Sequence, residues 1–523
     1  MLLRPPSKLA FFPVLLFPSS PNSLPIPSRL LLLLTVIINI MILNQHPVKG
    51  ISVAVVGGGI TGAIAAETLS KHFTDLVVFD QGRRGPGGRA SHRSVDSKTQ
   101  QVVVSATTNS ASAYEFDHGC QFFRADTNAM KELTRRWQQQ NWVAPWNGRF
   151  GSVVGGGGST TSASKSAVVD FFGLPERKDE PVYIGVGGMH NVPQKILSGC
   201  DVRVESGTRV TNVKRNDDMG QWEVWGVSGN AAYHDTKVAS KGSTKNGDGD
   251  DTSAVLATVD AVLLTDISSA SESWHRASAG IPDELRNQIP KRPRVPLFSC
   301  MVALDRPLGD TLMPYDGFTV SASPESPLWF AARSQSKPGF PTNDANDDAE
   351  CWTLVSTPKY ACEQIAQTTM RDPKTGAFRP QENSYLNTVP GPALFDAFMD
   401  AVRLQNGNNN DANHDSLPKP VYLQAQRWGS GLPAPFKENQ EVQDICGSMY
   451  TCDLPDSVVY PRIQGQASGD QKKEEDIDFI HDDALQLYYA GDFCSSRCPG
   501  FEASALSGLD VAKYMVETLT KDQ

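Results

Sequence analysis

The chain of 523 residues lacks several features that would each have fixed a function class. Its nine cysteines form no CxxC pair, so neither a zinc ribbon nor a thioredoxin-like redox centre is signalled. Cys494 and Cys498 stand close enough in sequence to bridge in an oxidising compartment, with free thiols as the alternative. Dense basic clusters are also missing. With a net charge of −10, that argues against nucleic-acid binding, which needs Lys and Arg to neutralise phosphates. No internal repeat is visible, and no apolar run reaches the roughly 20 residues a bilayer span requires.

Asp and Glu are absent from residues 1–49, where Arg4, Lys8, Arg29 and Lys49 are the charged residues. Pro5, Pro6, Pro13, Pro18 and Pro21 forbid a continuous helix before Leu30. The apolar run Leu30 to Leu43 suits the core of a targeting sequence, directing the chain to the secretory route or an organelle. An over-extended gene start or a plain hydrophobic tail is the alternative. Residues 1–49 are therefore set apart as a targeting or disordered segment, and membrane contact is expected only through it, if it is retained.

What is present suits a globular protein of two domains: 39% of residues are hydrophobic. Polar, low-complexity stretches at 151–165, 237–253, 343–350, 406–416 and 465–476 read as expanded surface loops, since closing a longer loop costs little extra entropy. Strands and helices alternate at the two ends of the chain. The middle is richer in strands, at 201–214, 222–227, 261–264, 296–304, 351–357 and 421–427. The expected architecture is α/β: a Rossmann-type nucleotide domain interrupted by a strand-rich α+β substrate domain. The nucleotide domain is assigned to 50–135, 180–275 and 480–520, a connecting loop to 136–179, and the substrate domain to 276–479.

Ser52 to Val56 is a short β-branched run, as expected of a buried parallel strand. It leads into Gly57-Gly58-Gly59-Ile60-Thr61-Gly62, a G-x-G-x-x-G element, and then into an Ala-rich helical stretch. A second apolar strand, Leu76 to Phe79, ends at Asp80. Each part has a task. Gly57 permits the tight turn, Gly59 lets backbone approach a pyrophosphate, and Gly62 allows close packing of helix on strand. The N–H groups opening the helix, at Ile60 and Thr61, face phosphate, and Asp80 accepts from ribose hydroxyls. This unit establishes a dinucleotide site without saying which dinucleotide.

Directly after Asp80 comes Gln81-Gly82-Arg83-Arg84-Gly85-Pro86-Gly87-Gly88-Arg89. Here the sequence resembles the flavin-containing amine oxidoreductase superfamily, and the spelling GPGGR is most similar to its renalase-type branch. Phe116 to Phe123, with Asp117, His118 and Gln121, is similar to that family's loop beside the flavin. Tyr183 to Met189 resembles its glycine turn. The resemblance implies FAD, bound through Gly57, Gly59, Ile60, Thr61, Gly62, Asp80, Gln81, Gly88 and Arg89. It adds Gln121, a Val210 packed on adenine, Gly491-Asp492 toward the ribityl chain, and the small residues Ala503 and Ala505 on a helix aimed at the flavin pyrimidine. It also implies that Arg89 neutralises pyrophosphate charge. No S-G-G-C-Y segment occurs, so Cys446 and Cys452 are not expected to attach flavin, and FAD is expected to be non-covalent. The chain departs from the family at Thr265, where a proline is frequent.

The implied activity is hydride transfer from a small amine or a dihydronicotinamide-like substrate to FAD, with dioxygen as one candidate electron acceptor. The catalytic residues are unknown from sequence. Trp428 is a candidate wall of the substrate site and His118 a candidate proton acceptor, each with a plain structural role as the alternative. No metal site is expected. A non-catalytic protein holding FAD as a structural element remains the alternative function.

Overall fold

The computed structural model describes residues 48–103, 113–153, 181–229, 253–266, 279–290, 294–320, 326–341, 349–369, 374, 381–405, 417–434 and 478–521. The expected insertions at 406–416 and 465–476 lie outside these, as do most of 151–165, 237–253 and 343–350, with Cys446, Cys452 and residues 1–47. All that follows concerns the unit Val48–Gln523.

Strand Val48–Val56 is apolar because both of its faces are covered. Val53 and Val55 share a core with helices Ile60–Leu69 and Phe501–Thr520. Ala54 and Val56 point the other way, into a core with Val210, Val213, Trp222 and Val224 of a three-stranded antiparallel sheet. That small sheet is built from Thr208–Asn216, Gln221–Ser228 and Ala254–Val259.

The nucleotide-domain sheet has six strands, in the order Phe479–Asp482, Leu487–Ala490, Ala261–Leu264, Val48–Val56, Phe73–Asp80, Arg203–Ser206. Every neighbouring pair is parallel except the first, a hairpin. Val53 faces Ala261 on one side and Leu76 on the other. Three strands in a row thus come from distant parts of the chain, and their carboxyl ends meet where the glycine loop begins.

A second six-stranded sheet runs Pro420–Pro433, Arg294–Leu304, Glu350–Ser356, Leu328–Arg333, Gly317–Val320, Phe150–Val153. Helix Pro390–Gln405 covers one face, where Leu394, Phe398 and Val402 share a core with Phe298, Phe318 and Trp352. Mixed α/β architecture with strand-rich sheets is therefore what the chain adopts. Within the expected connecting loop at 136–179, Val143–Pro145 pairs with Tyr183–Gly185, and Phe150–Val153 joins the second sheet parallel to Gly317–Val320. Strands this short carry too little alternation to be read locally; distant partners determine them.

Candidate active site and dinucleotide site

The glycine loop has the backbone its spelling requires. Gly57 sits at φ +107° and its N–H donates to the Phe79 carbonyl at 2.8 Å, turning the chain off the strand. At Gly62 a β-carbon would overlap the Gly57 carbonyl, and at Gly508 it would overlap the carbonyl of Thr61. The C-terminal helix therefore lies directly on the first helix. Neither helix has a side-chain N-cap bond, at Gly59 or at Gly500, which leaves their first-turn N–H groups for a ligand.

Asp80 is buried at the end of its strand, where its Oδ2 accepts from Gly58 N at 2.8 Å and its Oδ1 from Gly82 N at 2.7 Å. Burial raises its pKa, and the two backbone donors oppose that rise. Both oxygens keep lone pairs for further donors, so the acid serves the loop as well as any ribose. Gln81 beside it is exposed. Gly88, at φ +57°, lies against Gly59; a β-carbon on it would stand 3.2 Å from the Gly59 Cα. The two glycine runs thus face each other with no side chain between them. Thr265, the departure from the family's proline, donates its Oγ1 proton toward the carbonyls of Val56 (2.9 Å) and Gly57 (3.1 Å), closing the strand end.

Arg89 is paired with an acid from far along the chain. Its guanidinium makes a two-pronged ion pair with Asp492, Nη1 to Oδ2 at 2.8 Å and Nη2 to Oδ1 at 2.6 Å. Nη1 also donates to the Gly431 carbonyl at 3.0 Å. Burial alone would favour proton loss, but the charge and hydrogen bonds of Asp492 outweigh it and raise the Arg89 pKa. Two residues assigned separately to phosphate and ribityl chain are thus each other's partners, because a nearly buried carboxylate needs a cation. Gly491 N donates to Ser507 Oγ at 2.9 Å, and Ala503 and Ala505 are fully buried on the helix. Val210 is buried in the core beneath the first strands and faces Gly226 across its sheet.

Thiol chemistry is not available at this site. Cys494 is a buried free thiol, and Cys498 is disulfide-bonded elsewhere, so the Cys494–Cys498 bridge does not form. Burial pushes the Cys120 thiol up to about 12.

The segment Phe116 to Phe123 folds around a buried ionic knot that the sequence did not reveal. Asp117, fully buried, accepts from His92 Nδ1 (3.0 Å), from Lys337 Nζ (3.3 Å) and from Met189 N (2.9 Å). Lys337 Nζ also donates to Gln121 Oε1 at 3.1 Å, and the Gln121 amide donates to the carbonyls of Gly119 and Asp117. His92 Nε2 pairs with Glu115. Burial opposes the imidazolium, but the hydrogen bonds and charges of Asp117 and Glu115 together hold its pKa at about 9. Lys337 is depressed by burial and supported by Asp117. His190 stacks on His92 at 4.6 Å; burial and then the His92 charge push its pKa down to about 4.

The two catalytic candidates are neighbours. His118 and Trp428 stack with ring centroids 5.6 Å apart, and Trp428 Nε1 donates to the His118 carbonyl (2.9 Å) and to Ser299 Oγ (3.1 Å). Both ring nitrogens of His118 are buried without a hydrogen-bond partner. Burial, with the nearby charges of Arg93, Arg84 and His92, pushes its pKa well below the usual imidazole range. His118 is therefore neutral. Tyr422, Gln424, Gln426 and Trp428 alternate along one face of strand Pro420–Pro433, which brings a polar row up to this histidine. A cavity of about 300 Å³ at the start of the same strand, lined by Tyr422, Gln424 and Asn387 among others, contains none of the fingerprint residues.

Residues 55–137 match the family of NAD(P)-binding Rossmann-like domains. The chain carries a Rossmann-like dinucleotide-binding domain. Its sheet order and glycine loop are those just described. Among solved structures, a protein assigned as a protoporphyrinogen oxidase from Exiguobacterium sp. 255-15 is 11% identical. That match covers 91% of this chain and 100% of that one, at a TM-score of 0.46. A fatty acid isomerase that produces CLA, from P. acnes, is 11% identical over 91% of this chain and 99% of that one, at a TM-score of 0.44. Beyond the Rossmann-like domain, the function rests on the residues themselves.

The residues present fit a dinucleotide. Gly59 and Gly88 meet backbone to backbone with no side chain between them, and two uncapped helix starts offer N–H donors. Among the described residues no cluster of His, Cys, Asp and Glu is arranged to hold a metal.

Proposed function

We propose that the chain is an oxidoreductase using non-covalent FAD, of the amine oxidase and renalase type. The substrate would be a small amine or a dihydronicotinamide-like molecule. One observation carries the reading: the two distant halves of the flavin signature meet, Arg89 on Asp492 and Thr61 on Gly508. Glycine loop, GPGGR element and C-terminal Gly-Asp helix then share one site, which a nicotinamide-only domain does not need. FAD, once bound, supplies the two-electron acceptor. Gly57, Gly59, Ile60, Thr61, Gly62, Asp80 and Gly88 hold its adenosine and pyrophosphate end. Asp492, held by Arg89, orients the ribityl side, while Gln121, Ala503 and Ala505 border the ring. Lys337 and Asp117 fix the loop that carries His118. His118, kept neutral by burial and the cations around it and stacked on Trp428, serves as a wall of the site rather than as a base.

The test is spectroscopic. Purified full-length protein should be yellow and release FAD on denaturation. Anaerobic mixing with amines and with dihydronicotinamide isomers should bleach the flavin band with one class of donor. Protein that folds yet neither carries nor takes up flavin would end this reading. Bound flavin that no donor bleaches would point instead to FAD as a structural element.

A further inference from the structure

We propose that Gln194 is a positioning residue for the bound dinucleotide: its amide holds two carbonyls of the second glycine loop and so aims the Gly87 N–H at the pyrophosphate. This rests on the reading above, with FAD as the ligand, yet it calls only for the pyrophosphate that any dinucleotide carries.

Gln194 lies on helix Asn191–Ser198, whose Val192, Pro193, Ile196 and Leu197 are buried. A glutamine beside that apolar stripe reads from sequence as a residue facing solvent. Its Nε2 instead donates to the carbonyl of Arg84 at 3.2 Å and to that of Pro86 at 3.0 Å. Both acceptors belong to the run Arg84-Gly85-Pro86-Gly87-Gly88-Arg89. A side-chain amide nitrogen carries two N–H groups, so the two carbonyls use its full donor capacity. The residue between the acceptors gives way to it. Gly85 stands at φ +93°, and a β-carbon there would lie 3.2 Å from Gln194 Nε2.

The consequence falls on the next N–H along the chain. In a trans peptide the C=O and N–H point in opposite directions, and among the described residues no peptide is cis. With the Pro86 carbonyl drawn toward Gln194, the Gly87 N–H is turned away from helix Asn191–Ser198. Gly87 is buried, and its N–H has no hydrogen-bond partner among the described residues. A buried backbone donor left unpaired is rare in a folded chain and points to an acceptor on a ligand. The loop is placed to meet one. A β-carbon on Gly58 would stand 2.8 Å from Pro86 Cβ, and one on Gly59 would stand 3.8 Å from Gly88 Cα. The second glycine loop is thus laid against the first, beside the uncapped start of helix Ile60–Leu69. Within the loop, Gly85 N donates to Gly82 O at 3.3 Å and Ala90 N to Gly87 O at 3.0 Å. Those bonds close its ends, and Gln194 holds its middle.

The test uses the full chain freed of cofactor and three variants. Gln194→Met keeps the length and removes both donors, Gln194→Glu turns a carboxylate on the two carbonyls, and Gln194→Lys restores a donor. Calorimetric titration with FAD, and separately with ADP as the smaller pyrophosphate carrier, should show binding weakened about tenfold by Gln194→Met and further by Gln194→Glu. Gln194→Lys should bind both more tightly than either. Thermal melts of the cofactor-free chains should leave Gln194→Met close to the wild type, which separates aim from folding. The proposal is overturned if Gln194→Met binds FAD and ADP as tightly as the wild type, or if Gln194→Lys binds no better than Gln194→Met. It is also overturned if the weaker binding is matched by an equal loss of stability in the cofactor-free chain. Wild type that binds ADP but not FAD ends the flavin reading alone, and the ADP series then decides on Gln194; wild type that binds neither overturns both.

Discussion

At the scale of single residues, the buried charges around Asp117 give the sharpest expectations. His92 is raised from 6.5 to about 9 in the folded chain. Its contribution to stability is complete below pH 6.5 and is lost as pH rises toward 9. Thermal melts across that range should show a decline in Tm, with Lys337, His190, Glu115 and Asp117 as the groups facing the ring. His92→Gln should lower stability at pH 6 and flatten the decline. A pH-independent wild-type Tm from 6.5 to 9 would contradict it. Arg89→Met leaves Asp492, 1% exposed, without its guanidinium, and denaturant titration should register a loss of about 3–5 kcal/mol. Replacing both partners by apolar residues should restore part of that loss, because no stranded charge remains.

Among secondary-structure elements, the contact between helices Ile60–Leu69 and Phe501–Thr520 depends on the absence of a side chain at Gly508. Gly508→Val forces the helices apart; a stability loss of about 2–4 kcal/mol and diminished flavin content are expected. If Gly508→Val melts like the wild type and is equally yellow, the close contact is not what holds the ends together. These elements were legible in advance because their demands are local. G-x-G-x-x-G followed by an Ala-rich stretch specifies a turn and a small-faced helix within a dozen or so positions, and the strand read at 261–264 is Ala261–Leu264. The ionic knot was not legible. Asp117 and Lys337 are 220 positions apart, and nothing near Lys337 distinguishes it from a solvated lysine. Arg93 likewise reads as a polar residue on a short strand until Gln424 and Gln426 are brought beneath it. The Arg89–Asp492 pair was hidden for the same reason, its members lying 403 positions apart.

For the molecule as a whole, ligand binding and folding are coupled, since the site is assembled from segments drawn from both ends of Val48–Gln523. Adding FAD to flavin-free protein at about a hundredfold over Kd should add roughly 2.7 kcal/mol and move Tm up by several degrees. Riboflavin, which lacks the phosphates and adenosine, should do far less. An equal shift with riboflavin would argue that the glycine loop is not the binding element. The split architecture also has a temporal side. Strand Leu487–Ala490, Asp492 and the helix bearing Gly508 leave the ribosome long after the glycine loop. A nascent chain that stops short of them therefore holds only one wall of the dinucleotide cleft. A stop codon shortly before that strand would yield an empty protein rather than a slower one.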